Sequence, residues 1–321
     1  MALELPKQSY AGKIREVEIG MAGKGFRVGG AATLPYLGFE GEIGHPPRIA
    51  MEVDDIPPRE WAKPLLDVLG DAVRDPVAWA RRCVEEFKVD LVHLELVGTD
   101  PNGENLSAEH AAKTARAVAD AVSVPVAVWG TANVEKDAEV LRAVAEACAG
   151  RRLLIGPVQE LNHKQLGAAI IGYGHTAIAS TPIDVNLQKQ LNIELVNLGV
   201  AAGNIVDDPT VGGVGYGLEY TYSVMERARI AAVTADDDKL QFPTYCNVGR
   251  EVWKTKEAKL AEAEAPNLGD ARRRGVLLES VTAASLLLAG ADILVLRHPD
   301  SVGLTRWYVG ELRGGGEGGG K

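Results

Sequence analysis

The sequence predicts an α/β fold, a TIM (β/α)8 barrel with an N-terminal β-hairpin extension. Between residues 48 and 298, eight short apolar segments alternate with longer amphipathic segments, and eight such units in about 250 residues are typical of this barrel. Strands separated by helices must pair in parallel, because a parallel crossover needs a dozen or more residues. A doubly wound open sheet is the rival fold, but the segment after the first strand, DDIPPREWAKP, lacks the Gly-rich fingerprint of that fold.

The apolar segments have the length and composition of strands. They lie at 48–53, 89–97, 124–129, 153–155, 176–180, 204–206, 242–247 and 292–296. Helical patterns follow most of them, at 75–87, 107–122, 134–149, 162–172, 184–198, 218–235 and 270–288. Residues that favour helices predominate in these segments, and Asp75 before Pro76 predicts an N-cap followed by proline at the first helical position.

Three segments divide the chain: an N-terminal extension (1–45), the barrel (46–312) and a Gly-rich flexible tail (313–321). In the extension, residues 13–29 form two alternating runs around a turn at 22–25, which predicts a hairpin that plugs the lower mouth of the barrel. The tail, RGGGEGGGK, has too few apolar groups to offset the entropy cost of ordering.

Composition excludes several classes of protein. With 34 Lys and Arg against 44 Asp and Glu, the net charge is −10, so binding to nucleic acid or to a membrane surface is not expected. The longest apolar stretch, 281–296, is interrupted by polar residues and is shorter than the roughly 20 residues that span a bilayer. Residues 1–20 carry no secretory signal pattern. We therefore expect a cytoplasmic protein that starts near Met1.

Neither a metal site nor a catalytic nucleophile is predicted. Cys83, Cys148 and Cys246 are far apart in the sequence, and the six histidines are scattered, without the spacing of metal ligands. No serine lies in a nucleophile elbow, and Cys246 has no evident histidine partner.

The second strand predicts a polar barrel interior. Its apolar residues at 92, 94 and 96 share one face, which should pack against helices, while His93 and Glu95 share the other. The lumen then holds Glu52, His93, Glu95 and Arg297, which must be paired or reach water. Two interpretations stay open, a structural network across the barrel and an acid/base or ligand-binding cluster.

Two loops at the C-terminal ends of strands are further candidates. Asp184 precedes a helix, so it is either an N-cap or, with Asn186, a hydrogen-bonding partner for a planar or amide-bearing ligand. The segment DPTVGGVGYG, 208–217, has four glycines in six residues. They allow close backbone contact with a bulky ligand or partner, and the alternative is a tight structural turn.

Four motifs resemble the small (delta) subunit of the corrinoid iron-sulfur protein of the acetyl-CoA synthase/CO dehydrogenase pathway. They are VGGAATLPYLGFEGEIGHPPRIAMEVDD, STPIDVNLQKQLNI, DDPTVGGVGYGLEYTYSVMERARIAA and LVLRHP, and the resemblance extends from about residue 15 to 310. It implies a TIM barrel related to pterin-binding methyltransferases, paired with a large subunit that carries a [4Fe-4S] cluster and binds a cobamide.

The resemblance also implies a role in the Wood–Ljungdahl pathway. The pair would accept a methyl group from a methyl-tetrahydropterin through a separate methyltransferase and pass it from cobalt to acetyl-CoA synthase. The barrel would be a non-catalytic or accessory subunit whose mouth covers the cobamide. The residues expected at that surface are Asp184, Asn186, Asp208, Thr210, Gly212, Gly213, Gly215, Tyr216 and Asn247.

Two other hypotheses remain at this point. The chain could be a pterin-dependent methyltransferase in its own right, in which Asp184, Asn186 and Asp208 hydrogen-bond the pterin and a proton donor assists transfer. Alternatively, it could be a structural scaffold without any ligand contact.

Overall fold

The computed structural model describes residues 6–314, in which eight parallel strands close into a barrel behind a two-stranded hairpin. The hairpin strands are β1 (Val17–Ile19) and β2 (Phe26–Val28). The barrel strands are β3 (Arg48–Asp54), β4 (Leu91–Glu95), β5 (Val126–Trp129), β6 (Leu154–Val158), β7 (Thr176–Ser180), β8 (Ile205–Asp208), β9 (Thr244–Asn247) and β10 (Ala291–Leu296). Barrel order follows chain order, and β10 pairs with β3 to close the barrel. The predicted fold class is confirmed.

Helices cover the outside of the barrel. They are α1 (Lys63–Leu69), α2 (Pro76–Glu85), α3 (Ala108–Ala121), α4 (Val134–Ala147), α5 (His163–Tyr173), α6 (Val185–Leu198), α7 (Leu218–Thr234), α8 (Val248–Trp253), α9 (Lys256–Lys259), α10 (Ala271–Leu288) and α11 (Pro299–Leu312). The seven predicted helices are present within a few residues of their expected bounds. Among residues 6–314, no helix is long and apolar enough to cross a membrane.

The last barrel helix, α11, was not among the predicted helices. It begins with Pro299 at its first position, and His298 Nδ1 accepts the backbone N–H of Asp300 at 3.0 Å. Histidine is not one of the favoured N-cap residues, so proline at the first helical position is the start signal that remains there.

Successive side chains of each barrel strand point to opposite faces, so the apolar residues form two layers, one between strands and helices and one inside the barrel. This is the arrangement predicted for the second strand. Val92 and Leu94 belong to the cluster that packs strands against helices, together with Trp79 and Val118. The barrel interior forms a separate cluster, which includes Ala50, Leu91, Ala127, Leu154, Ile178, Val206 and Tyr245.

The hairpin closes the N-terminal end of the barrel, which confirms the predicted plug. Val17 pairs with Val28 across the hairpin, and both are buried in the interior cluster together with Ile19. The backbone N–H of Gly29 donates to Asp292 Oδ1, near the start of β10, at 3.2 Å. The C-terminal ends of the strands are therefore the open mouth.

The chain after α11 is described only at its start. Arg313 donates to the backbone carbonyl oxygens of Gly44 at 2.9 Å and His45 at 3.3 Å, and so attaches to the N-terminal extension. The rest of the predicted flexible tail, from residue 315, lies outside the described residues.

Candidate functional site

A cleft of about 440 Å³ lies at the mouth of the barrel. The four strands β9, β10, β3 and β4 are neighbours there, and Asp54, Glu95, Arg250 and Arg297 line the cleft at or just after their C-terminal ends. Trp61, from the loop after β3, forms part of its wall. Because TIM barrels place ligand and catalytic groups at this face, the cleft and the loops beside it form the candidate site.

Glu52 and Arg297 form an ion pair between the two strands that close the barrel. Arg297 Nε donates to Glu52 Oε2 at 2.9 Å, and a second guanidinium nitrogen contacts Oε1. Burial lowers the pKa of Arg297, but the attraction of Glu52 outweighs it and leaves the pKa above its ordinary value. The guanidinium also lies over the Trp61 ring, 4.4 Å from the centroid.

Glu95 is held between a histidine and an arginine. His93 Nε2 lies 2.9 Å from Glu95 Oε2, and Arg250 donates to Glu95 Oε1. Burial would raise the pKa of Glu95, but Arg250 and His93 outweigh it, so the pKa lies below its ordinary value. All four side chains predicted to face the lumen therefore have partners there, as a structural network requires.

Three aromatic rings lie together in the lumen. They belong to Trp129, Tyr245 and His93, which is also part of this network. The Tyr245 hydroxyl is 2.5 Å from His93 Nδ1, and the Trp129 and Tyr245 rings are parallel, with centroids 6.3 Å apart. His93 lies within 6 Å of both rings. The aromatic side chains therefore form a floor under the mouth.

Asp54 is the one carboxyl lining the cleft that is buried without a partner for one of its oxygens among residues 6–314. It is 2% exposed, and Oδ1 makes no hydrogen bond there. Burial and the nearby Glu52 carboxylate raise the pKa of Asp54 well above its ordinary value, against the opposing effect of Arg297.

On the opposite side of the mouth, Asp184 caps α6. Its Oδ1 accepts the backbone N–H groups of Asn186 at 2.7 Å and Leu187 at 3.1 Å, so the structural role considered for Asp184 is observed. Asn186 is exposed at the start of the helix, where its side chain is free to contact a ligand.

Asp208, at the end of β8, uses both of its oxygens within the fold. Ser180 Oγ donates to Oδ2 at 2.7 Å, and the backbone N–H of Thr210 donates to Oδ1 at 3.1 Å. Burial raises the pKa of Asp208 to about 6. Thr210 Oγ1 in turn donates to the backbone oxygen of Thr181 at 2.8 Å. Asp208 and Thr210 therefore fix the start of the segment 208–217, here called the glycine loop.

Within the glycine loop, the members differ in what surrounds them. A Cβ on Gly212 would lie 2.5 Å from the carbonyl carbon of Gly217, and one on Gly213 would lie 3.6 Å from Val252. Both positions are buried. Gly215, with φ +76°, and Tyr216, which is 52% exposed, reach solvent. Intramolecular packing thus accounts for Gly212, whereas residues 215 and 216 lie at the exposed surface of the loop, where the Tyr216 hydroxyl donates to Glu257 Oε2 at 2.6 Å.

Asn247 lies beside the network of charged side chains in the lumen. It ends β9, is 6% exposed, and its Nδ2 lies 3.4 Å from His93 Nε2. Its Oδ1 has no hydrogen-bond partner in the described part of the chain. The amide of Asn247 therefore retains unused hydrogen-bonding capacity.

Arg250 and Trp61 belong to the site but are not among the residues predicted from the sequence. Arg250 is 155 positions from Glu95 in the chain, and only barrel closure brings the two together. One signal existed, because a carboxylate predicted in the lumen requires a cation from another strand end.

Potential metal ligands do not cluster within residues 6–314, where no group of three or more His, Cys, Asp or Glu could hold an ion. Cys83, Cys148 and Cys246 are buried free thiols. Burial raises the pKa of Cys83 to about 12 and that of Cys148 to about 11, which makes both poor nucleophiles.

Solved structures with a similar fold include dihydropteroate synthases. The enzyme of Xanthomonas albilineans in complex with 7,8-dihydropteroate aligns with a TM-score of 0.57 and 16% identity, over 92% of this chain and 98% of that chain. The Yersinia pestis enzyme with a sulfonamide drug complex aligns with a TM-score of 0.58 and 14% identity, over 84% and 95%. At such identities the likeness shows a shared fold.

Sequence relatives are closer. The acetyl-CoA decarbonylase/synthase complex subunit delta of Methanopyrus kandleri is 37% identical over 268 residues, which cover 83% of this chain and 66% of that protein. The subunit delta of Archaeoglobus fulgidus is 35% identical over 320 residues, 96% of this chain and 70% of that protein. This chain thus spans about two thirds of the length of these relatives.

A family model described as CO dehydrogenase/acetyl-CoA synthase delta subunit matches residues 16–304. This match includes the hairpin, all eight barrel strands and every candidate residue at the mouth. The chain belongs to the CO dehydrogenase/acetyl-CoA synthase delta subunit family.

Proposed function

We propose that this chain is the small subunit of a corrinoid iron-sulfur methyl carrier. The mouth of its barrel covers a cobamide held by a large partner subunit and supports methyl transfer from a methyl-tetrahydropterin, through a separate methyltransferase, to acetyl-CoA synthase. Family membership is the observation that most supports this proposal, because relatives are named as delta subunits of an acetyl-CoA decarbonylase/synthase complex. The chain then acts as an accessory subunit in the Wood–Ljungdahl pathway.

The residues at the mouth fit a cobamide, whose ring is bordered by carboxamide groups. Asn247 and Asp54 each have a buried oxygen without a partner in residues 6–314, and Asn186 has an exposed amide. These groups would hydrogen-bond the rim of the ring, while the exposed Tyr216 would contact its edge. A bound cobamide supplies the cobalt that carries the methyl group. This chain orients the ring and excludes water and oxidants from its reactive face.

In this proposal the [4Fe-4S] cluster belongs to the large subunit. The three cysteines of the chain lie on different elements, Cys83 in α2, Cys148 at the end of α4 and Cys246 in β9. Cluster binding needs thiolates that converge on one site, and these three thiols are buried separately.

A stand-alone pterin methyltransferase is not favoured. That hypothesis has Asp184, Asn186 and Asp208 hydrogen-bond a pterin, but Asp184 Oδ1 caps α6 and both oxygens of Asp208 accept hydrogen bonds from the fold. The relatives, moreover, are named as subunits of a complex.

The proposal is tested by purifying the chain together with its candidate large subunit and recording the optical spectrum of the corrinoid. We expect a complex of the two chains, with methyl transfer that is lost when this chain is omitted. Methyl transfer at the same rate without this chain would overturn the proposal. Transfer from a methyl-pterin by this chain alone would support the stand-alone enzyme instead.

A matched pair of variants tests the contact surface. Asn186→Ala removes an exposed amide at the mouth end of α6, and Asn197→Ala removes one at the opposite end of the same helix. We expect Asn186→Ala to weaken association with the cobamide-loaded large subunit by about five- to tenfold, the effect of one neutral hydrogen bond. Asn197→Ala should bind like the wild type, and both variants should melt at the same temperature as the wild type.

A further inference from the structure

The cleft between the ends of β9, β10, β3 and β4 lies across the mouth from the loop after β7, one of the segments expected at the cobamide, and borders another, the end of β9. It is bounded on one side by the loop after β3, which contributes Pro57, Pro58 and Trp61, and on the other by the start of α8. With a volume of about 440 Å³, it can hold a side arm of a large ligand or a small molecule.

The cations of the cleft are already paired with carboxylates. Arg297 is matched by Glu52, and Arg250 by Glu95. The other pairs, nearer the rim, are Lys254 with Glu251, Arg59 with Glu104 and, at 3.9 Å, Lys259 with Glu60. Because this balance leaves no unpaired cation along the described lining, the cleft favours a neutral ligand over an anion.

Asp54 is the carboxyl of the cleft that has a buried oxygen without a hydrogen-bond partner in the described residues. It ends β3, is 2% exposed, and its Oδ1 makes no hydrogen bond to any residue between 6 and 314. A buried carboxyl in this position keeps its proton far above the pH at which an exposed aspartate loses it. A protonated carboxyl offers one O–H donor and one carbonyl acceptor side by side.

A primary carboxamide presents the complementary pair, a carbonyl acceptor beside an N–H donor. Its alkyl arm would lie against the apolar wall formed by Trp61, Pro57 and Val97. A carboxylate would match only the donor of Asp54, and an ammonium group only the acceptor.

We propose that this cleft binds a primary carboxamide on a short alkyl arm, held by two parallel hydrogen bonds to the buried side chain of Asp54. The inference rests on the proposed function, in which the carboxamide belongs to the rim of the cobamide. It assigns to the first barrel strand a cobamide contact in addition to those expected at the ends of β7, β8 and β9.

The test compares association of this chain with the large subunit in two states, loaded with cobamide and free of it. We expect Asp54→Ala to weaken association with the loaded subunit about tenfold and to leave association with the cobamide-free subunit unchanged. Asp54→Asn keeps a donor beside an acceptor and should bind the loaded subunit within about twofold of the wild type. Asp71→Ala, at a side chain that is 90% exposed and does not line the cleft, is the control and should match the wild type in both states.

The outcomes separate this inference from the proposed function. Two results would overturn the assignment of Asp54 but not the proposed function. One is equal binding of wild type and Asp54→Ala to the loaded subunit, and the other is an equal loss of affinity of Asp54→Ala for the loaded and the empty subunits. Wild-type association that is indifferent to the presence of cobamide would overturn the proposed function as well. Thermal melting verifies folding. Because Asp54→Ala removes a buried carboxyl whose Oδ1 has no partner in the described part of the chain, it should not lower the melting temperature.

Discussion

At the scale of single residues, the mouth of the barrel is rich in carboxyl groups that resist ionisation. Asp55, Asp137 and Asp208 each have a pKa raised to about 6, because burial disfavours the charged form. Their hydrogen bonds to backbone N–H groups oppose this effect only in part. The folded protein therefore binds more protons near these positions than the unfolded chain does between about pH 4 and about pH 6.

This excess of bound protons predicts how stability depends on pH. When the folded state binds more protons, the free energy of unfolding falls as the pH rises. Asp208→Asn removes one such group, while the Asn carbonyl can still accept from Thr210 and its amide can donate to Ser180 Oγ. Relative to the wild type, we expect the variant to gain about 2–3 kcal/mol between about pH 4 and about pH 7. Urea unfolding over that range measures the difference.

The matched control is Asp71→Asn, because the side chain of Asp71 is 90% exposed. Its pH dependence of stability should follow that of the wild type. A parallel course for Asp208→Asn and wild type would contradict the raised pKa of Asp208.

Individual side chains were the least predictable part of the site. The position of Asp184 before a helix indicates a cap, and the structure confirms that role. In contrast, the pairing of Arg250 with Glu95 and the packing of Trp61 on Arg297 depend on residues far apart in the chain. Sequence periodicity places a residue on a face of its own strand, but it does not specify which distant side chain lies opposite.

At the scale of elements, the ion pair of Glu52 with Arg297 joins the strands that close the barrel. Glu52 is fully buried, so Arg297→Met leaves a buried carboxylate without a partner. We expect a loss of about 3–5 kcal/mol in the free energy of unfolding, measured by urea titration. The double variant Glu52→Leu/Arg297→Met removes both charges and should recover most of that loss. A double variant as unstable as Arg297→Met would show that the arginine stabilises the barrel by other contacts, such as its position over Trp61.

Strands were predicted more reliably than helices. All eight barrel strands lie where a short apolar run predicts them, because strands buried on both faces need apolar residues almost continuously. Apart from α11, the unpredicted helices are α1, α8 and α9, which are only four to seven residues long and too short to show a helical period. The strand predicted at 153–155 continues to Val158 in the structure. It includes Gly156 and Pro157, two residue types that usually indicate the end of a strand.

At the scale of the whole molecule, the barrel is closed at one end and open at the other. The hairpin fills the N-terminal end with Val17, Ile19 and Val28, and the aromatic floor of His93, Trp129 and Tyr245 lies beneath the open mouth. A ligand as large as a cobamide would therefore lie across the mouth, not within the lumen. This geometry suits a subunit that covers a cofactor bound elsewhere.

A covering role predicts slower reaction of the reduced cofactor with oxidants. A barrel mouth laid over the cobamide excludes solvent and small molecules from its reactive face. We expect the reduced, cobamide-loaded large subunit to be reoxidised more slowly in complex with this chain than alone, as measured by stopped-flow absorbance with a small-molecule oxidant. Asn197→Ala should protect as well as the wild type, whereas Asp54→Ala at subsaturating concentration should protect less, because less of it is bound. Identical reoxidation rates with and without this chain would contradict the covering role, even if the two subunits associate.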